Sequence, residues 1–228
     1  MNKQGNTYTF LYSVVLVIVV AALLSVVSLS LQPRQNENRK NEKRQNILSA
    51  IHVSSTAENS AELFNKYIKE QFIVNAEGKK MNGNAFDVNI EEQYNMPVEK
   101  RELPVFVAEV DGSTKYILPI YGAGLWGPIW GYISLDDNKN TVYGTFFDHQ
   151  GETPGLGAEI TTPKFNNQFR NKQIFSGNTL VGIRVVKGGN ATGVNEVDAI
   201  SGGTITSQGV QSMLKNYLTN YEPFLKQQ

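Results

Sequence analysis

The chain has 228 residues, of which 40% are hydrophobic and 18% charged, which is enough for one substantial domain with its own core. Its 21 basic and 21 acidic residues balance, so the composition excludes nucleic acid as a partner. The absence of cysteine excludes disulfides, thiolate nucleophiles, iron–sulfur clusters and thiolate zinc sites. The two histidines, His52 and His149, have no metal-ligand spacing, so no metal site is predicted.

The N-terminal region contains one long segment without a charged side chain, at residues 9–31. A helix needs about 20 apolar residues to cross a bilayer, so this segment is predicted to be a transmembrane helix. A cleaved signal peptide is the alternative, but its apolar core would be shorter, and QPRQNENRK follows instead of a small-residue cleavage site. We therefore predict a tail (1–8), a transmembrane helix (9–31), a charged juxtamembrane segment (32–46) and a folded domain (47–228).

The flanking charges do not decide on which side of the membrane the folded domain lies. A count of positive charges favours the cytoplasm, because only Lys3 precedes the span and a basic cluster follows it. That rule weakens for large translocated domains, and Glu37 and Glu42 lie within the cluster.

The folded domain begins with a helical pattern and continues with strands. Residues 54–72 predict a helix capped near Asn59, with Glu62 three residues later as in a capping box. VFVAEV (105–110) and KYILPI (115–120) flank Asp111-Gly112, which is typical of a β-hairpin.

The same alternation continues towards the C-terminus. PIWGYISL and TVYGTFF flank DDNKN and predict a second hairpin, and TLVGIRVV is another β-rich segment. Residues 207–228 predict an amphipathic helix with an apolar stripe from Val210 to Tyr221. The predicted fold class is α+β, an antiparallel sheet with flanking helices after the transmembrane helix.

Three glycine-rich segments are candidates for a binding site. In YGAGLWGPIWGY (121–132), glycine lets the backbone approach a flat ligand on which Trp126 stacks; a strand-entry loop whose aromatic residues fill the core is the more common alternative. In DHQGETPGLGAEI (148–160), His149 and Glu152 are either an acid–base pair or, more commonly, a turn residue and a surface carboxylate.

The third segment, DAISGGTITSQGV (198–210), precedes the C-terminal helix. Helix N-termini bind phosphate, Gly202 and Gly203 allow close approach, and Thr204, Thr206 and Ser207 donate hydrogen bonds. An ordinary helix cap by Thr206 or Ser207 explains the same residues, so both interpretations stay open on these grounds.

A family resemblance separates these two interpretations, a phosphate site and an ordinary helix cap. Asp198-Ala199-Ile200-Ser201-Gly202-Gly203-Thr204 resembles the flavinylation motif of the FMN-binding domain family, in which the last threonine carries FMN through a phosphoester. The sequence departs from that motif at Gly203, where alanine is usual. The N-terminal span, the GLWG element from Gly124 and the ETPGLG element from Glu152 are similar to those of the flavin subunits of sodium-translocating NADH:quinone oxidoreductases.

The resemblance implies the following site. Thr204 would carry covalent FMN, and Thr206, Ser207 and the helix amides would hold its phosphate. The remaining predicted FMN contacts are Ser201, Gly202, Gly203, Trp126, Thr153, Gly155 and Leu156.

The resemblance also implies an electron relay in a membrane redox complex. Its predicted partners are the other subunits, a flavin transferase and the bilayer, and its predicted place is the bacterial inner membrane with the flavin domain in the periplasm. The chain lacks a dinucleotide-binding fingerprint, so another subunit would oxidise NADH. Two alternatives remain, namely the electron-transfer flavoprotein of an Rnf-type complex and a non-redox anchored module that binds a phosphorylated ligand.

Overall fold

The N-terminal region forms one long helix in the computed structural model, which describes residues 6–227. Helix α1 (Asn6–Ser49) includes the predicted span and continues through Pro33 and the juxtamembrane segment. Its apolar part has a mean hydropathy of 3.0, and none of that part is buried. Within residues 6–227 it is the one helix long and apolar enough to cross a membrane, and it fits a single-pass anchor. The first five residues of the predicted tail lie outside the described residues.

The described part of residues 44–228 forms a compact unit, distinct from the described part of residues 1–43. Its centre is a six-stranded sheet in the order β2-β1-β3-β4-β5-β6, in which every neighbouring pair is antiparallel. The strands of this sheet are β1 (Ile68–Val74), β2 (Lys80–Met81), β3 (Leu103–Val110), β4 (Ser113–Ala123), β5 (Pro128–Leu135) and β6 (Val142–His149). The remaining strands are β7 (Phe175–Ser176) paired with β8 (Thr179–Leu180), and β9 (Arg184–Val186) paired with β10 (Glu196–Asp198).

Apolar side chains cover both faces of the sheet, because successive residues of a strand point to opposite faces. On one face, Val105 and Leu118 pack against the C-terminal helix. On the other face, Phe106 and Ile117 pack against Ile47, near the end of α1, and its neighbours. The helices of this unit after α1 are α2 (Ser60–Tyr67), α3 (Ile90–Tyr94), α4 (Pro163–Asn166) and α5 (Thr204–Leu225).

The two predicted hairpins and the C-terminal helix are confirmed. Asp111 and Gly112 both have positive φ, 50° and 74°, as the tight turn between β3 and β4 requires. Helix α5 buries its predicted stripe, with Tyr217 and Tyr221 at most 1% exposed. The hydroxyl of Tyr221 donates to the carbonyl oxygen of Pro104 at 2.9 Å, which joins α5 to β3.

The helix predicted for residues 54–72 is wrong at its C-terminal end. Helix α2 ends at Tyr67, and Ile68–Val74 forms β1, which pairs with β3. The apolar side chains of this segment have helical spacing, which suggested a longer helix. Strand pairing prevails over that spacing because β1 completes the backbone hydrogen bonds of β3 and buries Phe72 and Val74. Asn59 does not cap α2 through its side chain; instead its Oδ1 accepts the N–H of Thr56 at 2.7 Å.

Candidate functional site

The start of α5 is a turn with free amides. Gly202 has φ +75°, a conformation that glycine adopts without strain, and the N–H of Gly203 donates to the carbonyl oxygen of Ile200 at 3.0 Å. The first helical hydrogen bond runs from the N–H of Ser207 to the carbonyl oxygen of Gly203 at 2.9 Å. The three amides before Ser207 therefore have no carbonyl to donate to within the helix, and such a helix start attracts an anion.

The three hydroxyl groups of this turn have different surroundings. The Ser207 hydroxyl is buried, donates to the carbonyl oxygen of Gly203 at 2.8 Å and accepts the N–H of Ile200 at 3.0 Å. The Thr206 hydroxyl is also buried and donates to a carboxylate oxygen of Glu152 at 2.5 Å. Thr204 is half-buried, and its hydroxyl makes no hydrogen bond to any other residue in the described range. Of the three, Thr204 is the one whose hydroxyl has no hydrogen-bond partner among the described residues.

The residues ahead of the turn hold it in place. Asp198 is the last residue of β10, and its carboxylate accepts the N–H of Ala191 at 2.9 Å. The N–H of Asp198 donates to the side-chain oxygen of Gln168 at 2.8 Å. Ser201 is exposed. Asp198 thus fixes where the chain enters the glycine turn.

The second glycine-rich segment contacts the turn through a buried acid. Glu152 is only 4% exposed, so the interpretation as a surface carboxylate is wrong. Its oxygens accept hydrogen bonds from Trp126 and Thr206, and this pairing makes its burial possible. His149 accepts the backbone N–H of Glu152 on Nδ1 at 3.1 Å, so the two residues are joined through the backbone.

The rest of this segment is exposed and bent. Thr153 and Gly155 are exposed, and Gly155 has φ +75°. The N–H of Leu156 donates to the carbonyl oxygen of Thr153 at 3.1 Å, and the Leu156 side chain is 42% exposed. Leu156 lies against the turn, because a Cβ added to Gly203 would lie 2.9 Å from its carbonyl oxygen.

Trp126 lies in the tight turn between β4 and β5, which the N–H of Gly124 closes by donating to the carbonyl oxygen of Gly127 at 2.8 Å. Its side chain is 69% exposed, so the alternative that it fills the core is wrong. Its backbone N–H donates to the Glu152 carboxylate at 2.9 Å. All three glycine-rich segments therefore meet around Glu152.

Two clefts border this meeting point. One cleft, of about 610 Å³, is lined by residues that include Gly155, Lys164, Gln168 and Ser201; Trp126 and Leu156 do not line it. The second, of about 400 Å³, lies between the Gly124 turn, Tyr94 and Tyr121. Burial, and then a hydrogen bond with Glu91, raises the pKa of Tyr121 to about 12, so this phenol stays neutral at physiological pH.

Known proteins are similar to this chain in sequence. The FMN-binding domain family matches residues 124–219, a range that includes the Trp126 turn, Glu152 and the start of α5. The NqrC subunit of the Na⁺-translocating NADH-quinone reductase of Vibrio vulnificus is 31% identical, over 91% of this chain and 89% of its own length. This chain belongs to the NqrC family of Na⁺-translocating NADH-quinone reductase subunits.

Solved structures of the NqrC family have the same fold. The crystal structure of the family member from Parabacteroides distasonis is 48% identical with a TM-score of 0.82, and the match covers 87% of this chain and 98% of that one. The structure of NqrC from Shewanella oneidensis is 28% identical with a TM-score of 0.72, and the match covers 82% of this chain and 96% of that one. The α+β fold predicted from the sequence is therefore confirmed.

Membership of the NqrC family supports FMN as the ligand, while the roles assigned to individual residues stay predictions. Sequence reasoning named Glu152 only as a candidate acid–base or surface residue, and it missed the contacts of Glu152 with Trp126 and Thr206. Its signal was the pair of glycines, Gly124 and Gly157, whose added Cβ atoms would each collide with the Glu152 carboxylate. That signal is visible only in the folded chain, because the collision of each added Cβ depends on how the segments pack.

Proposed function

We propose that this chain carries FMN on Thr204 through a phosphoester and relays electrons within a Na⁺-translocating NADH-quinone reductase. The observation that carries the proposal is the state of the Thr204 hydroxyl, which is half-buried and uncommitted at a helix start whose other two hydroxyls are buried and bonded. Family membership supports FMN and a place among the subunits of such a complex.

The residues of the turn fit a phosphate group. The amides of Thr204, Ile205 and Thr206 are oriented to donate to its oxygens, and the partial positive charge of the helix start favours its negative charge. A Cβ on Gly202 would lie 2.6 Å from a Leu156 methyl carbon, so glycine at this position lets Leu156 pack against the turn. In our proposal Thr206 and Ser207 hold the phosphate site by fixing the helix start, and Ser201 borders it.

The remaining predicted contacts belong to the flavin ring. We propose that Trp126, Thr153, Gly155 and Leu156 surround it, because the first and last present exposed apolar surface beside the turn. Bound FMN supplies the electron-accepting and electron-donating chemistry. The chain's own part is to bind the phosphate, orient the ring and leave one edge open to the next redox centre.

Attachment requires a donor in which the flavin phosphorus carries a leaving group, such as a flavin dinucleotide with its phosphoanhydride. The Thr204 oxygen forms a bond to that phosphorus and gives up its proton to a base of the flavin transferase. The anhydride bond from phosphorus breaks, and the nucleoside monophosphate leaves with the electron pair. No electron is gained or lost by the protein in this step.

Intact mass of the full-length chain tests the proposal. When the chain is produced together with a flavin transferase, we expect the mass of one FMN phosphoester in addition to the chain, and yellow colour that survives denaturation. A chain that shows no added mass and releases its flavin on denaturation would contradict the proposal. It would instead be an anchored module that binds a phosphorylated ligand reversibly.

We further propose that the domain at 47–228 is held by the span at 9–31 in the inner membrane, with the flavin domain in the periplasm. The apolar, unburied part of α1 supports the anchor. A reporter enzyme that is active only outside the cytoplasm, fused after Gln228, should be active. The same fusion with a reporter active only in the cytoplasm should be silent, and the reverse pattern would place the domain in the cytoplasm.

A further inference from the structure

Glu152 is the one acidic side chain among the described residues that is buried in the folded domain. One oxygen accepts the Trp126 N–H at 2.9 Å, and the other accepts the Thr206 hydroxyl at 2.5 Å. Burial of a carboxylate is costly unless hydrogen bonds compensate it, and here each oxygen has a donor from a different segment. The side chain therefore joins the β4–β5 turn to the start of α5.

The backbone around Glu152 leaves room for this carboxylate. A Cβ added to Gly124 would collide with one carboxylate oxygen, and a Cβ added to Gly157 would collide with the other and with the Thr206 hydroxyl. A Cβ on Gly209, one turn further along α5, would lie 2.6 Å from the carbonyl oxygen of Ala123. Glycine at these positions thus lets three segments close around a single acid.

The bond to Thr206 has a consequence for Thr204. Residues two apart on a helix point about 200° away from each other around its axis. When Glu152 holds Thr206 on the buried side, Thr204 is turned outwards, where its hydroxyl is half-buried and unbonded.

We propose that Glu152 is the positioning residue for flavin attachment, because it fixes the first turn of α5, which presents the Thr204 hydroxyl. This inference rests on the proposed function. It gives Glu152 no contact with the reacting atoms, and it assigns the Thr206 hydroxyl to the positioning of the helix. The expected effect of breaking the contact is a slower attachment step on a chain that is still folded.

Two substitutions of Glu152 separate its length from its charge. Glu152→Asp keeps the charge but is one methylene shorter, so it cannot reach both Trp126 and Thr206. Glu152→Gln keeps the length, since its oxygen still accepts the Trp126 N–H and its NH₂ group donates to the Thr206 oxygen. The quantity compared is the initial rate of flavin attachment, measured when the chain saturates the transferase. We expect this rate to be about tenfold lower for Glu152→Asp than for the parent chain, as for one lost charge-assisted hydrogen bond. For Glu152→Gln we expect a rate close to that of the parent chain.

Thr206→Val removes the same contact from its other end. We expect it to slow attachment as Glu152→Asp does, and the double variant to be no slower than either single variant, because the two residues act as a unit. Glu109→Asp, an exposed acid on β3, is the matched control and should attach flavin at the parent rate. If Glu152→Asp fails to fold, Thr206→Val alone carries the test.

The measurement is made on the full-length chain in detergent with transferase and flavin dinucleotide, at a temperature where near-ultraviolet circular dichroism shows each variant folded. A purely structural role would leave the rate of the folded variants at the parent value, and that result would overturn the inference. Multiplicative slowing in the double variant would also overturn it. A parent chain that takes up no flavin would instead contradict the proposed function, so the two failures are distinguishable.

Discussion

Replacement of Thr204 by valine is expected to abolish covalent flavin while the fold survives. Valine has nearly the shape of threonine but lacks the oxygen that would form the phosphoester. The Thr204 hydroxyl makes no hydrogen bond to another residue in the described part of the chain, so its removal leaves no buried partner unsatisfied. In-gel flavin fluorescence after denaturation, on chain produced with its transferase, measures the result.

Thr206→Val is the matched control for this variant. Its hydroxyl donates to Glu152, so the substitution costs stability, by about 1–3 kcal/mol for an unsatisfied buried acceptor. After complete maturation the flavin bond should nevertheless be present, because the attached oxygen is that of Thr204. Fluorescence that persists in Thr204→Val and disappears in Thr206→Val would show that the motif has been read two residues out of register.

We expect Gly203→Ala to destabilise this chain. The substitution introduces the alanine that is usual in the flavinylation motif. Gly203 has φ −108°, which alanine adopts freely, so the backbone itself is not strained. The added Cβ would lie 2.9 Å from the Leu156 carbonyl oxygen and 3.0 Å from a methyl carbon of Ile200. Because one of these atoms belongs to backbone, the 153–157 segment must move, and overpacking of this kind costs about 1–3 kcal/mol.

Gly151→Ala is the control for Gly203→Ala. Nothing lies within 4 Å of a Cβ at Gly151, and alanine there is expected to be neutral or slightly stabilising. Chemical denaturation of the full-length chain in detergent compares the two. Equal unfolding midpoints for Gly203→Ala and the parent chain would mean that the Leu156 segment adapts without cost.

Hairpins and the terminal helix could be predicted because their determinants are local. The alternation in VFVAEV and KYILPI, with Asp111-Gly112 between them, specifies both strands and their turn. The α5 stripe from Val210 to Tyr221 has helical spacing and faces the sheet. The C-terminal end of the helix predicted at 54–72 is wrong because Ile68–Val74 pairs with β3, which lies far along the chain.

By itself the sequence determined the apolar span, the two central hairpins, the C-terminal helix and the segment in which Thr204 lies, because each depends on neighbouring residues. Only the tertiary structure decided which hydroxyl of that segment is free, and it did so through Glu152. A carboxylate surrounded by Trp126, Thr206 and two glycines is buried by contacts that no local pattern contains. Its burial depends on donors that reach it only when three separated segments fold together, and the same contact turns Thr206 inwards and Thr204 outwards.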